Sequence, residues 1–121
     1  MQLQNQHVLV TGGFGTLGIA VVRAALAAGA RVTAVDHAKA PATDAPAGAH
    51  WVVGIDLADA ATAAATVDRI AATGGGLDAL VNVAGTFRWE TVEGGSLDTW
   101  DLLYRVNLRT AVAASKAALP H

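Results

Sequence analysis

The sequence predicts an α/β fold: a doubly wound parallel sheet with helices on both faces. Three observations carry that expectation. Short apolar runs alternate with stretches of helical periodicity along the chain. A glycine-rich turn, Thr11 to Gly18 (TGGFGTLG), joins the first apolar run to the first helical stretch. A carboxylate, Asp36, closes the second apolar run.

The elements follow in order. His7-Val8-Leu9-Val10 suits a strand buried on both faces. Beyond the turn, Leu17, Val21, Ala25 and Ala28 recur at steps of three and four, predicting a helix over 17–28 with those residues inward. Gly29 suits the position just past its end, where positive φ meets no Cβ penalty. Residues 31–35 form the second strand, with Asp36 at its carboxyl end. Pro41, Pro46 and Gly48 break any helix over 37–49, leaving a surface loop. A third strand is expected over 50–53, followed by Gly54-Ile55-Asp56-Leu57. An alanine-rich helix is expected over 59–73, with Asp59 as its cap, Val67 and Ile70 inward, and Gly74-Gly75-Gly76 as its stop. The fourth strand, over 77–82, runs into Val83-Ala84-Gly85. A loop over 87–95 carries Trp89. A last helix starts at Ser96 or Asp98 and continues, with some irregularity, through Trp100, Leu102, Leu103 and Val106 to Leu119. Trp51, Trp89 and Trp100 read as packing residues, the usual use of large aromatics; Trp89 is the candidate exception.

Composition narrows the function classes. A chain of 121 residues suits one domain with a modest core, and alanine dominates its 53% of hydrophobic residues. A net charge of −2 gives no basic field for nucleic acid or an anionic membrane. There is no cysteine, so disulfides and thiolate metal sites are excluded, and the four histidines show no metal-ligand spacing. No charged leader followed by an apolar run opens the sequence, and no run of about 18 apolar residues occurs. The expectation is a soluble, cytoplasmic protein without membrane, nucleic-acid or metal partners.

Right-handed crossovers from the first strand give the strand order 3-2-1-4, the first half of a Rossmann-type sheet. A ligand crevice then lies at the carboxyl ends, where the order reverses. The segments 12–18 and 82–85, with Asp36 and Asp56, all fall at such ends. A glycine turn between strand and helix lets the backbone approach a pyrophosphate, which the free N–H groups and dipole of the helix start then bind. Gly13-x-Gly15-x-x-Gly18, with Asp36 on the next strand to bind a ribose diol, fits the dinucleotide fingerprint. Asp56 equally suits a cap for the next helix.

These motifs resemble the short-chain dehydrogenase/reductase family, whose members bind NAD(H) or NADP(H). Thr11-Gly12 is similar to the family's turn start, Asp56-Leu57 to the pair that holds adenine, Asn82-Val-Ala-Gly85 to its NNAG motif, and Val106-Asn107-Leu108 to the segment bearing the asparagine of its catalytic tetrad. The resemblance implies cofactor contacts from Gly12, Phe14, Gly15, Thr16, Leu17, Gly18, Asp36, Asp56, Leu57, Asn82, Ala84 and Gly85, and a catalytic role for Asn107. Asp36 implies NAD rather than NADP. The activity implied is hydride transfer between a nicotinamide and a small alcohol or carbonyl substrate, in a homo-oligomer.

Two departures stand out. The family's usual TGxxxGxG would put glycine at Thr16; here Gly12-x-x-Gly15-x-x-Gly18 resembles the family's extended branch, whereas 82–85 resembles the shorter one. The catalytic serine and Tyr-x-x-x-Lys pair also have no counterpart: Tyr104 is the only tyrosine and Leu108 stands four residues on. Val112-Ala-Ala-Ser-Lys116 resembles the sequence around the family's catalytic lysine, with valine in the tyrosine's place. Its position, nine residues after Asn107 on one helix, argues against that role. The resemblance therefore implies residues 1–121 are the NAD(P)-binding Rossmann half of a family member, truncated before a fifth strand and inactive alone. The alternatives are a non-catalytic NAD-binding module or a self-associating fragment, since strand 4 would be an open edge.

Overall fold

A computed structural model describes residues 2–41 and 43–121. Met1 and Ala42 lie outside the described residues, the latter within the expected loop. Four parallel strands, β1 (His7–Thr11), β2 (Arg31–Val35), β3 (His50–Val52) and β4 (Ala79–Asn82), pair in the order β3-β2-β1-β4. Thr11 lies opposite Val35 on one side and Asn82 on the other, and Val35 lies opposite Val52. The carboxyl ends of all four strands are therefore level, and the residues just after them share one edge.

Alternation along the strands feeds two cores. Val8, Val10, Val32 and Ala34 face α1 (Thr16–Ala27), meeting Val22 and Ala25. Leu9 and Val35 face the other way, meeting Leu57, Ala63, Val67 and Ile70, the last three from α2 (Ala60–Gly74). His7, expected as part of an apolar run, is instead a buried polar anchor. Its Nδ1 lies 2.7 Å from the Gly76 carbonyl, its Nε2 2.8 Å from the Thr33 hydroxyl, and its N–H donates to Asp78 at 2.7 Å. The imidazole explains Gly74, whose Cβ would come within 2.3 Å of the ring.

Both helix ends are closed as the sequence suggests. Gly29, at φ +90°, ends α1 in a Schellman arrangement: Ala30 N–H donates to Ala25 and Gly29 N–H to Leu26. Asp59 caps α2 by accepting from Thr62 N–H at 2.9 Å, and Gly75 adopts φ +72° at its end.

Three expectations are corrected. The inward stripe of α1 is Gly18, Ile19, Val22 and Ala25; Leu17 is 66% exposed, because it lies about 100° round the helix from Gly18. The third strand stops at Val52, since Gly54 turns at φ +68° to donate to Ala38, and the fourth starts only at Ala79. The packing role fails for two tryptophans. Trp51 meets Phe14 edge-to-face at 5.3 Å, but Trp89 and Trp100 are 78% and 59% exposed. The helix carrying Trp100, α3 (Leu97–Leu103), buries none of its residues among the described part of the chain.

The expected irregularity in the last helix is a π-helical segment, Tyr104–Arg109, between α3 and α4 (Thr110–Ala118). Ser96 caps α3 through Asp98 N–H at 3.1 Å. Thr110 N–H donates to the Arg105 carbonyl, five residues back, while its hydroxyl donates to the Val106 carbonyl at 2.7 Å. No helix among the described residues is long and apolar enough to cross a membrane, and no three His, Asp or Glu side chains there are grouped to hold a metal.

Candidate functional site

The glycines of the turn do different work. Gly12 sits at φ +64°, and a Cβ there would lie 2.6 Å from the Ala84 nitrogen. A Cβ on Gly13 would lie 2.6 Å from that of Ala34, and one on Gly18 would lie 2.0 Å from the Gly12 carbonyl. These three are required by close packing of strand, turn and helix. Gly15 is not. Its φ of −80° suits any residue, and its Cβ would meet only the Gly12 carbonyl, at 3.8 Å. It is the N-cap of α1 and offers no side chain to the N–H groups of Thr16, Leu17 and Gly18, which have no acceptor within the helix. Thr16, where the commoner pattern has glycine, is the first helical residue and points outward, so a side chain is accommodated there. The result is an uncapped helix start, exposed and with no side chain at its N-cap, able to bind an anion.

Asp36 is tied into the same turn. Its Oδ2 accepts from Phe14 N–H and its Oδ1 from Ala38 N–H, both at 3.1 Å, and the carboxylate is largely buried. His37 Nδ1 lies 3.1 Å from Oδ1. An ionised carboxylate has about four acceptor sites, so lone pairs remain for hydroxyl donors from outside. Phe14 itself is buried against Trp51, and its N–H is taken by Asp36.

Four residues past the end of β3, Asp56 accepts from Ala58 N–H at 3.0 Å and pairs with Arg105; the α2 cap is Asp59 instead. The Leu57 side chain is buried beneath α2, so only its backbone can face a ligand. Arg109 Nε donates to the Ala58 carbonyl at 2.6 Å. Thr62's hydroxyl and backbone N–H, then Arg105 and Arg109 from a distance, hold the Asp59 carboxyl below its ordinary pKa. Neither arginine stood out in the sequence; their spacing of four on one helix was the available signal.

Past β4, the Thr11 hydroxyl accepts from Val83 N–H at 3.1 Å and Ala84 N–H at 3.2 Å, bracing the two strand ends. Asn82 Nδ2 donates to Ser115 Oγ at 3.2 Å, a partner the sequence did not reveal. Asn107 lies in the π-helical segment, and its Oδ1 accepts from Thr86 N–H at 2.8 Å. A Cβ on Gly85 would sit 2.7 Å from that oxygen, which explains the glycine. The turn, Asp36, Asp56 and residues 82–85 thus stand on one edge, with Asn107 reaching it from the last helix. Leu17 is exposed at the same helix start. Tyr104 and Lys116 line a groove between α2 and the last helix, about 18 Å apart along the axis.

Comparison with known proteins agrees with this geometry. The family model for short chain dehydrogenases matches residues 6–121. Over 113 residues the chain is 38% identical to a D-threitol dehydrogenase of Mycolicibacterium smegmatis, covering 88% of this chain but 44% of that protein. Its fold matches a short chain dehydrogenase from Mycobacterium smegmatis with a TM-score of 0.89 and 28% identity, over 98% of this chain and 53% of the other. A Burkholderia cenocepacia short chain dehydrogenase in complex with NADP matches at 0.85 and 35% identity, over 100% of this chain and 52% of that one. The chain spans about half the length of each of these proteins.

Proposed function

The chain belongs to the short chain dehydrogenase family, and we propose that it supplies the cofactor-binding half of an NAD-dependent oxidoreductase acting on a small alcohol or carbonyl compound. The observation that carries this reading is Gly15: a glycine that neither backbone nor neighbours require, capping an otherwise free helix start beside Asp36. A dinucleotide fits these residues. Its pyrophosphate would take the N–H groups of Thr16, Leu17 and Gly18, its ribose diol the remaining lone pairs of Asp36, and its adenine the Asp56 carboxylate and Leu57 backbone. When bound, the nicotinamide supplies the hydride chemistry. Asn107, bonded to Thr86, fixes the path of the loop after Gly85 along that crevice.

The choice of NAD over NADP rests on charge. A 2′-phosphate beside Asp36 meets like charge; at 4 Å and an effective dielectric of 20, each pair costs about 4 kcal/mol. The segment 12–18 holds no Arg or Lys to offset it. His37 and Lys39, just after Asp36 in the sequence and both exposed, are the nearest candidates. Titration of NADH and NADPH against tryptophan fluorescence tests this: NADH binds more tightly, and equal or tighter NADPH binding refutes the preference.

We propose further that residues 1–121 bind dinucleotide without turning over substrate. Proton exchange with the reacting hydroxyl needs a titratable group within about 3 Å. Asn107 supplies no proton at neutral pH, and Tyr104 and Lys116 do not form a pair. NADH formation from a panel of secondary alcohols, compared with Tyr104→Phe and Lys116→Ala, checks it; turnover abolished by either substitution refutes it. In the cell the protein is proposed to be cytoplasmic and homo-oligomeric.

A further inference from the structure

The π-helical segment touches both ends of the crevice. Asn107, at its centre, holds Thr86 beyond β4. Arg105 and Arg109, on either side, reach the turn between β3 and α2: Arg109 holds the Ala58 carbonyl, and Arg105 pairs with the Asp56 carboxylate. The turn is thus gripped twice, once by its backbone and once by its side chain. Asp56 is a half-exposed carboxylate four residues beyond the three-residue β3, with only Ala58 N–H from its own turn to orient it. With Oδ1 on Ala58 and Oδ2 on Arg105, one rotamer is fixed, and each oxygen keeps acceptor capacity for an outside donor.

We infer that Arg105 is a positioning residue for adenine recognition: it holds the Asp56 carboxylate in the orientation that accepts a hydrogen bond from the exocyclic amino group of adenine. This rests on the proposed dinucleotide site and adds the group that sets its selectivity at the base. The amino group is the donor adenine presents at that edge, so a fixed carboxylate favours it and opposes a base bearing a carbonyl there. Arg105 makes its pair at the surface, where such pairs add little to fold stability, so its function is separable from folding. The Coulombic reach of both arginines to Asp59 places their charge on this same turn.

The test compares NADH with its deaminated analogue, reduced nicotinamide hypoxanthine dinucleotide, in which a carbonyl replaces the adenine amino group. Affinities of the 121-residue chain and of Arg105→Gln, Arg105→Lys and Asp56→Asn are measured by calorimetry, with urea midpoints as a check on folding. The chain as it stands prefers NADH. Arg105→Gln lowers that preference about three- to tenfold, the scale of ordering one loose side chain on binding. Arg105→Lys recovers part of it, keeping the charge but not the planar fork. Asp56→Asn, able to donate to a carbonyl, loses or reverses it. If Arg105→Gln weakens both ligands equally, Arg105 acts through general charge or stability and the inference is wrong. An unchanged preference overturns it as well. If Asp56→Asn leaves the preference intact, the assignment of adenine to Asp56 fails. If the unsubstituted chain binds neither ligand, the dinucleotide site itself fails, and the inference with it.

Discussion

Replacing Thr11 by valine keeps the shape of the side chain and removes one hydroxyl. Thr11 is 1% exposed, at the carboxyl end of β1, and its oxygen is the acceptor for both Val83 and Ala84 N–H. The substitution leaves two backbone donors without a partner inside a crowded junction, because Ala84 is pressed against Gly12. A buried donor left unpaired costs about 1–3 kcal/mol. These two are only partly buried, so the lower end applies to each, and the loss is about 2 kcal/mol. With a urea slope of about 2 kcal/mol per molar, the unfolding midpoint falls by about 1 M. Thr11→Ser separates the hydroxyl from the methyl: it keeps both hydrogen bonds and loses one buried methyl group, about 1 kcal/mol. Urea unfolding followed by circular dichroism gives the midpoints, and amide exchange at Val83 and Ala84 gives the local effect. Exchange at those two amides accelerates in Thr11→Val and stays slow in Thr11→Ser. A serine variant less stable than the valine variant, with protection at residues 83 and 84 unchanged in both, would refute the brace.

Gly18→Ala drives a Cβ to within 2.0 Å of the Gly12 carbonyl and disrupts the turn, whereas Gly15→Ala leaves the urea midpoint nearly unchanged and weakens NADH binding; equal behaviour of the two variants would sink the distinction. Asp59 is held below its ordinary pKa, first by the Thr62 hydroxyl, so its contribution to stability is complete above the unfolded value and fades as pH falls through the lower folded one. Asp59→Asn, which caps without titrating, loses stability less steeply below about pH 4; an acid-unfolding curve parallel to that of the parent chain contradicts this. Trp89, Leu97, Trp100, Leu108 and Leu119 are all more than half exposed, and β4 is an edge strand, so the 121-residue chain self-associates as its concentration rises. Sedimentation velocity reads the outcome, and a monomer across the accessible range is the contrary result.

The order β3-β2-β1-β4 was legible because each link in it is local. Apolar runs, the Gly29 and Gly75 stops and the Asp59 cap are read within a few residues, and the handedness of parallel crossovers does the rest. The crevice followed, since strand ends made level by register put Gly12, Asp36 and Val83 side by side. The phase of α1 was missed for a related reason. Its apolar residues run nearly all the way round the helix, so Leu17, Val21, Ala25 and Ala28 make as good a stripe as the true one. What decides the phase is Gly18, which must face Gly12, and a residue with no side chain carries no weight in a periodicity count.

Asn107 shows why the rest was hidden. Read alone, an asparagine inside a helix competes for its own backbone and marks a weak point. In the structure the helix does break from α-geometry there, but the side chain does not repair it; the oxygen turns outward to Thr86, twenty-one residues earlier. The π-turn inserts a residue into the helical repeat, shifting the side chains after it relative to those before. That shift lets Asn107 face residues 85–86 while Arg105 and Arg109 face residues 56–58. Each contact joins segments 21 to 51 residues apart, and the spacing of four between the two arginines does not name their partners. Gly85 is the local sign of the Asn107 contact, explained when the Asn107 oxygen is found 2.7 Å from where its Cβ would be. Two of the glycines that the backbone does not require, at 15 and at 85, therefore mark places where something other than the local chain fills the space: a side chain from a distant helix at 85, and at 15 the ligand we propose.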